Sequence, residues 1–139
     1  MSTVTQRLAA VGLSLPEPPR ALGDYVPAVR CGNLVFTSGQ LPLRGGELIV
    51  AGAVGRDVTA DEARGAAEVA ALNALAAAST VCDLDSVDQV VKLVGYVFSA
   101  EGFTDQPGVV NGASGVMSAA FEEAGRHARE AVGVASLPL

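Results

Sequence analysis

An alanine-rich segment that follows Thr59 constrains the fold more than any other feature of the sequence. Thr59 and Glu62 have the Thr-x-x-Glu spacing of a capping box, in which each side chain satisfies a backbone N–H at a helix N-terminus. The helix predicted from Ala60 to about Thr80 consists mostly of small residues, which let a helix approach a sheet or another helix closely. Glu68 and Asn73 interrupt its apolar residues, so the pattern predicts a core helix and not a membrane span.

Strand patterns flank this helix on both sides. The chain predicts a hairpin before it and, after it, a long central strand, a second helix and a last strand: Val26 to Arg30, Leu34 to Gln40, Val87 to Phe98, Val109 to about Gly125, and Arg129 to Leu137. The order strand pair, helix, strand, helix, strand is typical of an α+β domain whose helices cover one face of a mixed sheet.

The N-terminal part predicts a short helix followed by an arm. Thr3 to Val11 has an apolar helical face that includes Val11, and the prolines between Pro16 and Arg20 impose an extended connector. Because no repeat or change of composition divides the chain, we expect one domain over residues 1–139, with residues 1–22 as its N-terminal helix and arm.

Composition limits the partners of this domain. Half of the residues are hydrophobic and 17% are charged, which indicates that other subunits cover part of the apolar surface. The net charge is −6 and lysine occurs once, at Lys92, so nucleic acid is disfavoured as a partner. Cys31 and Cys82 lie far apart and no signal peptide opens the chain, so we expect free thiols, no membrane association and a cytoplasmic location.

The sequence offers few of the residues that nucleophile–histidine sites, metal sites or phosphate-binding loops require. His127 is the single histidine, so a nucleophile–histidine arrangement would depend on it alone, and a transition-metal site is disfavoured. Gly45 and Gly46 lie in a predicted hairpin turn, and no glycine-rich phosphate loop is present. These patterns leave a site built from scattered polar residues.

Three polar residues are candidates for such a site. Ser38 lies in an otherwise apolar strand, Asn111 opens the second predicted helix and Arg129 opens the last predicted strand. Each also has a purely structural interpretation, since Ser38 can bond to the backbone, Asn111 can cap its helix and Arg129 can be a solvated surface residue. The pattern alone leaves both interpretations open.

Four segments together resemble the signatures of one family. GNLVFTSGQLP at 32–42, GDY at 23–25, VVN at 109–111 and AREAVGVASLP at 128–138 resemble the RidA/YjgF family, also called L-PSP endoribonuclease-like, in order and in spacing. The helix and proline-rich arm that precede them are similar to a subgroup with an N-terminal extension.

The resemblance implies a chorismate-mutase-like fold, with two main helices on one face of the sheet, that assembles as a homotrimer with sites between subunits. It implies hydrolytic deamination of reactive 2-imino and enamine acids, such as 2-aminoacrylate, to a 2-oxo acid and ammonia. No cofactor is implied, because an iminium carbon is already electrophilic. Arg129 would clamp the substrate carboxylate through its planar fork. The matching positions are Arg129, Tyr25 and Asn111 for catalysis, and Arg129, Ser38, Gly39 and Ala131 for substrate binding.

Two features depart from the family pattern. Asp24 replaces a proline beside Tyr25 and adds a negative charge where an anion would enter. The family's last strand, which carries a water-positioning Glu, would begin after Leu139, and Glu130 is no substitute because adjacent strand residues point to opposite faces. Two other functions stay open: a regulatory trimer that binds small carboxylates without chemistry, and a ribonuclease, which the acidic balance disfavours. The resemblance does not fix the natural substrate.

Overall fold

The computed structural model describes residues 1–21 and 23–139, along which three helices and six strands follow in the order α1, β1 to β4, α2, β5, α3 and β6. The helices are α1 (Val4–Ala10), α2 (Ala60–Ala78) and α3 (Gln106–Phe121). The strands are β1 (Ala28–Cys31), β2 (Leu34–Thr37), β3 (Leu43–Arg44), β4 (Glu47–Leu48), β5 (Lys92–Phe98) and β6 (Ala128–Val134). Short 3₁₀ turns at Leu84–Ser86 and Glu122–Gly125 precede β5 and β6. Leu22, the last residue of the predicted arm, lies outside the described residues.

The strands form both antiparallel and parallel pairs. β1 is antiparallel to β2 and β3 to β4, whereas β5 is parallel to β6. The predicted β1–β2 hairpin is confirmed, but its turn is shorter than the predicted Cys31-Gly32-Asn33, because Cys31 still pairs with Leu34. The turn lies at Gly32 and Asn33, and Gly32 has a φ of 60°, which glycine adopts without steric cost. The predicted α+β class is therefore confirmed, with the pairings distributed over small two-stranded sheets.

A complete capping box fixes the start of α2. The Thr59 hydroxyl oxygen accepts from the Glu62 N–H at 3.1 Å, and Glu62 Oε1 accepts from the Thr59 N–H at 3.4 Å. A cap of this kind stabilises a helix by about 1 kcal/mol. Because both bonds form where the sequence placed them, the predicted helix start is confirmed.

The start of α3 differs from the prediction. The helix begins at Gln106 and not at Val109, because Asp105 Oδ1 accepts from the Gly108 N–H at 3.1 Å and caps the first turn. Asn111 therefore lies inside α3, and the prediction that it opens or caps the helix is wrong. At its other end α3 stops at Phe121, where a 3₁₀ turn follows.

The three helices enclose the larger part of the core. In α3, a Cβ added at Gly112 would lie 2.1 Å from the carbonyl oxygen of Arg64, so the close contact between α2 and α3 depends on this glycine. The buried cluster between the helices consists of Val4, Leu8, Ala71, Leu72, Leu75, Leu84, Ala113, Val116, Met117, Ala120 and Phe121.

The prediction that Val11 belongs to the buried face of α1 is wrong. The helix ends at Ala10, Val11 is its C-cap, and the Val11 side chain is 60% exposed. Gly12, with a φ of 79°, then turns the chain away from the helix axis.

Several strand boundaries also differ from the predicted ones, and β1 spans Ala28–Cys31 instead of Val26 to Arg30. β2 ends at Thr37 and not at Gln40, β6 spans Ala128–Val134, and β5 begins at Lys92 and not at Val87. β5 is not buried on both faces, since Tyr96 is 60% exposed, and over its length it pairs with β6 alone among the described strands. No helix in the described part of the chain is long and apolar enough to cross a membrane.

Asp57 holds the loop that leads into α2. Its carboxylate accepts from the Ala53 N–H at 3.0 Å and pairs with Arg56 at 2.9 Å. The hydrogen bond from Arg56, and then that from Ala53, lower the pKa of Asp57, and the same pairing raises the pKa of Arg56. Because the Val54 N–H of this loop donates to the Phe98 carbonyl at 2.8 Å, the loop is joined to the end of β5.

Candidate functional site

A polar cavity of about 430 Å³ opens between α3 and the start of β6. Asn111 and Ser114 line it from α3, and their spacing of three residues places them on one face of the helix. His127, which directly precedes β6, and Arg129 in β6 line it from the other side. Adjacent to Arg129, Glu130 faces away and pairs with Lys92 of β5, as the alternation of strand residues requires.

Arg129 is held in this cavity by neutral partners. Its Nη1 donates to Asn111 Oδ1 at 2.7 Å and to the Ser114 hydroxyl at 3.2 Å. No carboxylate in the described part of the chain pairs with it, and its Nε and Nη2 donors have no partner there. These two donors lie along one edge of the planar guanidinium, which is the edge that pairs with both oxygens of a carboxylate. The half-buried Arg129 is therefore oriented, positively charged and open to an anion.

His127 is part of the same hydrogen-bond network. Its Nδ1 lies 2.6 Å from the Gly125 carbonyl, which can only accept, so Nδ1 carries the proton of the neutral ring. Its Nε2 is then an acceptor, and the Ser114 hydroxyl donates to it at 3.0 Å. The four side chains at this site thus form a continuous chain of hydrogen bonds from Asn111 through Arg129 and Ser114 to His127.

Sequence reasoning missed Ser114 and did not include His127 among the site residues. The contacts that join them cross from a helix to a strand, and neither residue belongs to a motif of its own. A signal was present in the spacing: Ser114 follows Asn111 by three residues, and His127 precedes Arg129 by two.

The other predicted site residues lie elsewhere in the chain. Tyr25 and Gly39 line a second cavity of about 750 Å³, between the N-terminal arm and α2, and none of the described residues lines both cavities. The Ser38 hydroxyl donates to the Val26 carbonyl at 2.7 Å, which is the backbone bond of its structural interpretation. Ala131 pairs with Gly95 in the β5–β6 ladder, and its side chain packs against the core. One chain therefore brings Arg129 and Asn111 together but not the rest of the predicted set.

The chain is similar to known proteins over nearly its whole length. A family model described as "YjgF/chorismate mutase-like, putative endoribonuclease" matches residues 5–139. Protein TCP17 of Trypanosoma cruzi is 40% identical over 137 residues, which cover 97% of this chain and 86% of TCP17. The crystal structure of Atu1372 from Agrobacterium tumefaciens, a protein of unknown function, is 44% identical and has a TM-score of 0.87, with 98% of this chain and 83% of that chain covered.

A more distant structure contains a bound ligand. The crystal structure of TdcF from E. coli with bound serine is 26% identical, with a TM-score of 0.56 over 88% of this chain and 84% of that chain.

Proposed function

Because the chain belongs to the YjgF/chorismate-mutase-like family, we propose that it hydrolyses small 2-imino and enamine acids to a 2-oxo acid and ammonia. In this reaction Arg129 holds the substrate carboxylate, and water attacks the adjacent iminium carbon. The substrate carries its own electrophile, so the protein has to orient it and to move protons. No cofactor enters this scheme.

The observation that carries the proposal is the open edge of Arg129. A guanidinium without a carboxylate partner, held in place by Asn111 and Ser114, is suited to a small anion. The fork fixes the direction of a bound carboxylate as well as its position, and the 2-carbon of an imino acid is bonded directly to that carboxylate. The serine bound to TdcF is itself a small 2-amino acid, which supports the same class of ligand.

We propose further that the working form is a homotrimer with its sites between subunits. Large apolar side chains are exposed on the strands, as expected of surfaces that a partner covers. The residues concerned are Val29, Leu34, Phe36, Val94, Tyr96 and Val132. Assembly would bring Tyr25 and the Gly39 backbone of one subunit to the Arg129 cavity of another, with Ser38 and the Ala131 backbone at its margin.

A cytoplasmic location belongs to the same proposal. Cys31 and Cys82 are both free thiols, which suits a reducing compartment.

The test compares imine hydrolysis by the wild-type protein with that by Arg129→Ala, against the uncatalysed rate. The substrate, 2-aminoacrylate, is generated in situ and the 2-oxo acid is measured. In the assembled trimer that we propose, loss of a charge pair shielded from water costs about 2–5 kcal/mol, so kcat/KM is expected to fall roughly 30-fold to several thousand-fold. Arg56→Ala is the matched control, because Arg56 is exposed, pairs with Asp57 at 2.9 Å and lines neither cavity. It is expected to retain activity within about threefold, as for other exposed ion pairs.

The same preparation separates the other functions. If a folded, assembled wild-type protein gives no rate above background, the deaminase proposal is wrong. Binding of pyruvate that Arg129→Ala abolishes would then identify a regulatory carboxylate-binding protein. RNA cleavage that persists in Arg129→Ala would not originate at this site, and the net charge of −6 argues against RNA as a substrate.

A further inference from the structure

We infer that Ser114 and His127 form a proton relay that activates the attacking water and then protonates the departing amine. This inference rests on the proposed deaminase function and assigns to these two residues the acid–base step that the function requires. It gives a role in the site to His127, which the sequence analysis did not include among the site residues.

The direction of the relay follows from its hydrogen bonds. The Gly125 carbonyl fixes the proton of His127 on Nδ1, so Nε2 has a free lone pair. Ser114 points its O–H at that lone pair at 3.0 Å. A serine in a helix can instead bond to the carbonyl one turn earlier, but Ser114 makes its bonds to His127 and Arg129.

Arg129 sets the orientation of the serine. Its Nη1 donates to one lone pair of the Ser114 oxygen at 3.2 Å, and the hydroxyl proton points to His127. The second lone pair of the oxygen is left for a donor in the cavity, such as the O–H of a water molecule. Because the same guanidinium presents its other edge to the substrate carboxylate, the relay and the anchor are joined by one rigid group.

The relay balances protons over the whole reaction. The water oxygen forms a bond to the iminium carbon and the C=N electron pair moves to nitrogen. The water proton passes to Ser114 as the Ser114 proton passes to His127 Nε2, which gives a neutral carbinolamine and an imidazolium. The imidazolium returns its proton through Ser114 to the amine nitrogen. The C–N bond then breaks as the C=O bond forms, and the remaining hydroxyl proton leaves with ammonia as ammonium.

The kinetic test uses His127→Gln, His127→Ala and Ser114→Ala with the same substrate. General acid–base groups contribute about 10²- to 10⁴-fold, so each variant is expected to lose roughly 100-fold in kcat. The two His127 variants should keep KM within about threefold of wild type, because His127 does not bond to Arg129, whereas Ser114→Ala also loses one of the bonds that hold Arg129. Added imidazole is expected to restore part of the kcat of His127→Ala but not that of Ser114→Ala. Ser86→Ala is the control, because the Ser86 hydroxyl bonds to Asp83 in the 3₁₀ turn before β5 and Ser86 lines neither cavity. It should retain wild-type kcat.

A second measurement does not depend on turnover. Since His127 is the single histidine, the ¹⁵N spectrum of histidine-labelled protein contains one imidazole. The relay predicts an Nδ1–H tautomer whose Nε2 resonance moves in Ser114→Ala and on addition of pyruvate. Wild-type kcat in His127→Gln, or a dominant Nε2–H tautomer, overturns the relay. If the wild-type protein does not hydrolyse imines, the proposed function fails, and the tautomer still decides whether the hydrogen-bonded pair exists.

Discussion

The two faces of the strands differ in what covers them. On the inner face, Leu93 and Val97 of β5 pack under the helices, and the polar cavity with Arg129 lies at the end of this layer. On the outer face, Phe36 and Tyr96 are 59% and 60% exposed, and no described element covers them. The inner face is therefore covered by helices of the same chain, whereas the outer face exposes the large apolar side chains that are typical of a subunit interface. In our proposal, this difference is the reason why only part of the predicted site comes together in one chain.

The largest effect is expected from a charge on the outer face. Phe36→Asp would place an unpaired carboxylate in an apolar contact, which costs several kcal/mol, and each ~1.4 kcal/mol is tenfold in association. We expect the trimer to dissociate to monomers and the imine hydrolysis to fall with it, while the Arg129 cavity stays intact. Mass measurement by light scattering during size-exclusion chromatography, together with the activity assay, tests this.

Val11→Asp is the control for that change. Val11 is as exposed as Phe36, at 60%, but it caps α1 and does not lie on a strand. It should leave mass and activity unchanged. A monomeric wild-type protein, or a Phe36→Asp variant that stays trimeric, would contradict the assignment of the outer face to the interface.

Helix packing behind the inner face gives the next largest effect. A methyl group at Gly112 would lie 2.1 Å from the Arg64 carbonyl oxygen, and backbone cannot move aside as a flexible side chain can. Gly112→Ala is therefore expected to lower the free energy of unfolding by about 3 kcal/mol. Gly115→Ala, in the same helix, meets nothing within 4 Å and should raise it by about 0.5–1 kcal/mol, because alanine is the better helix former. Urea unfolding of both variants measures the difference, and equal midpoints would contradict the close contact.

Interactions between residues close together in sequence made much of the secondary structure predictable. The capping box at Thr59, the hairpin turn at Gly32 and the α+β order of elements are each determined by residues close together in sequence. The predictions that failed concern helix ends, where a neighbouring residue sets a different boundary. Asp105 caps α3, so the helix begins three residues before the expected start at Val109. At the other site α1 ends at Ala10, before Val11 can join its buried face.

The candidate site was predictable only in part. The family resemblance pointed to Arg129 and Asn111, which the structure places in contact at 2.7 Å. The link from Ser114 to His127 spans thirteen residues and forms because α3 lies across β6, so no local pattern contained it. The positions of Tyr25 and Gly39 relative to Arg129 depend on a neighbouring chain in our proposal, and a single sequence does not carry that geometry.

The smallest of these effects is expected from Asn73, which joins the inner layer to the segment that follows the hairpin. Asn73 is 7% exposed, and its Nδ2 donates to the carbonyls of Leu41 and Leu43 at 3.0 Å each. Asn73→Ala would leave two partly buried carbonyls without this donor, so the free energy of unfolding should fall by about 2 kcal/mol. Asn111→Ala is the variant to compare with it, because Asn111 is exposed and its side chain bonds to Arg129. It should change the free energy of unfolding by less than about 0.5 kcal/mol but weaken pyruvate binding. Urea midpoints and pyruvate titrations of both variants would therefore rank in opposite orders. If Asn111→Ala were the less stable protein, the division between a structural and a functional asparagine would be wrong.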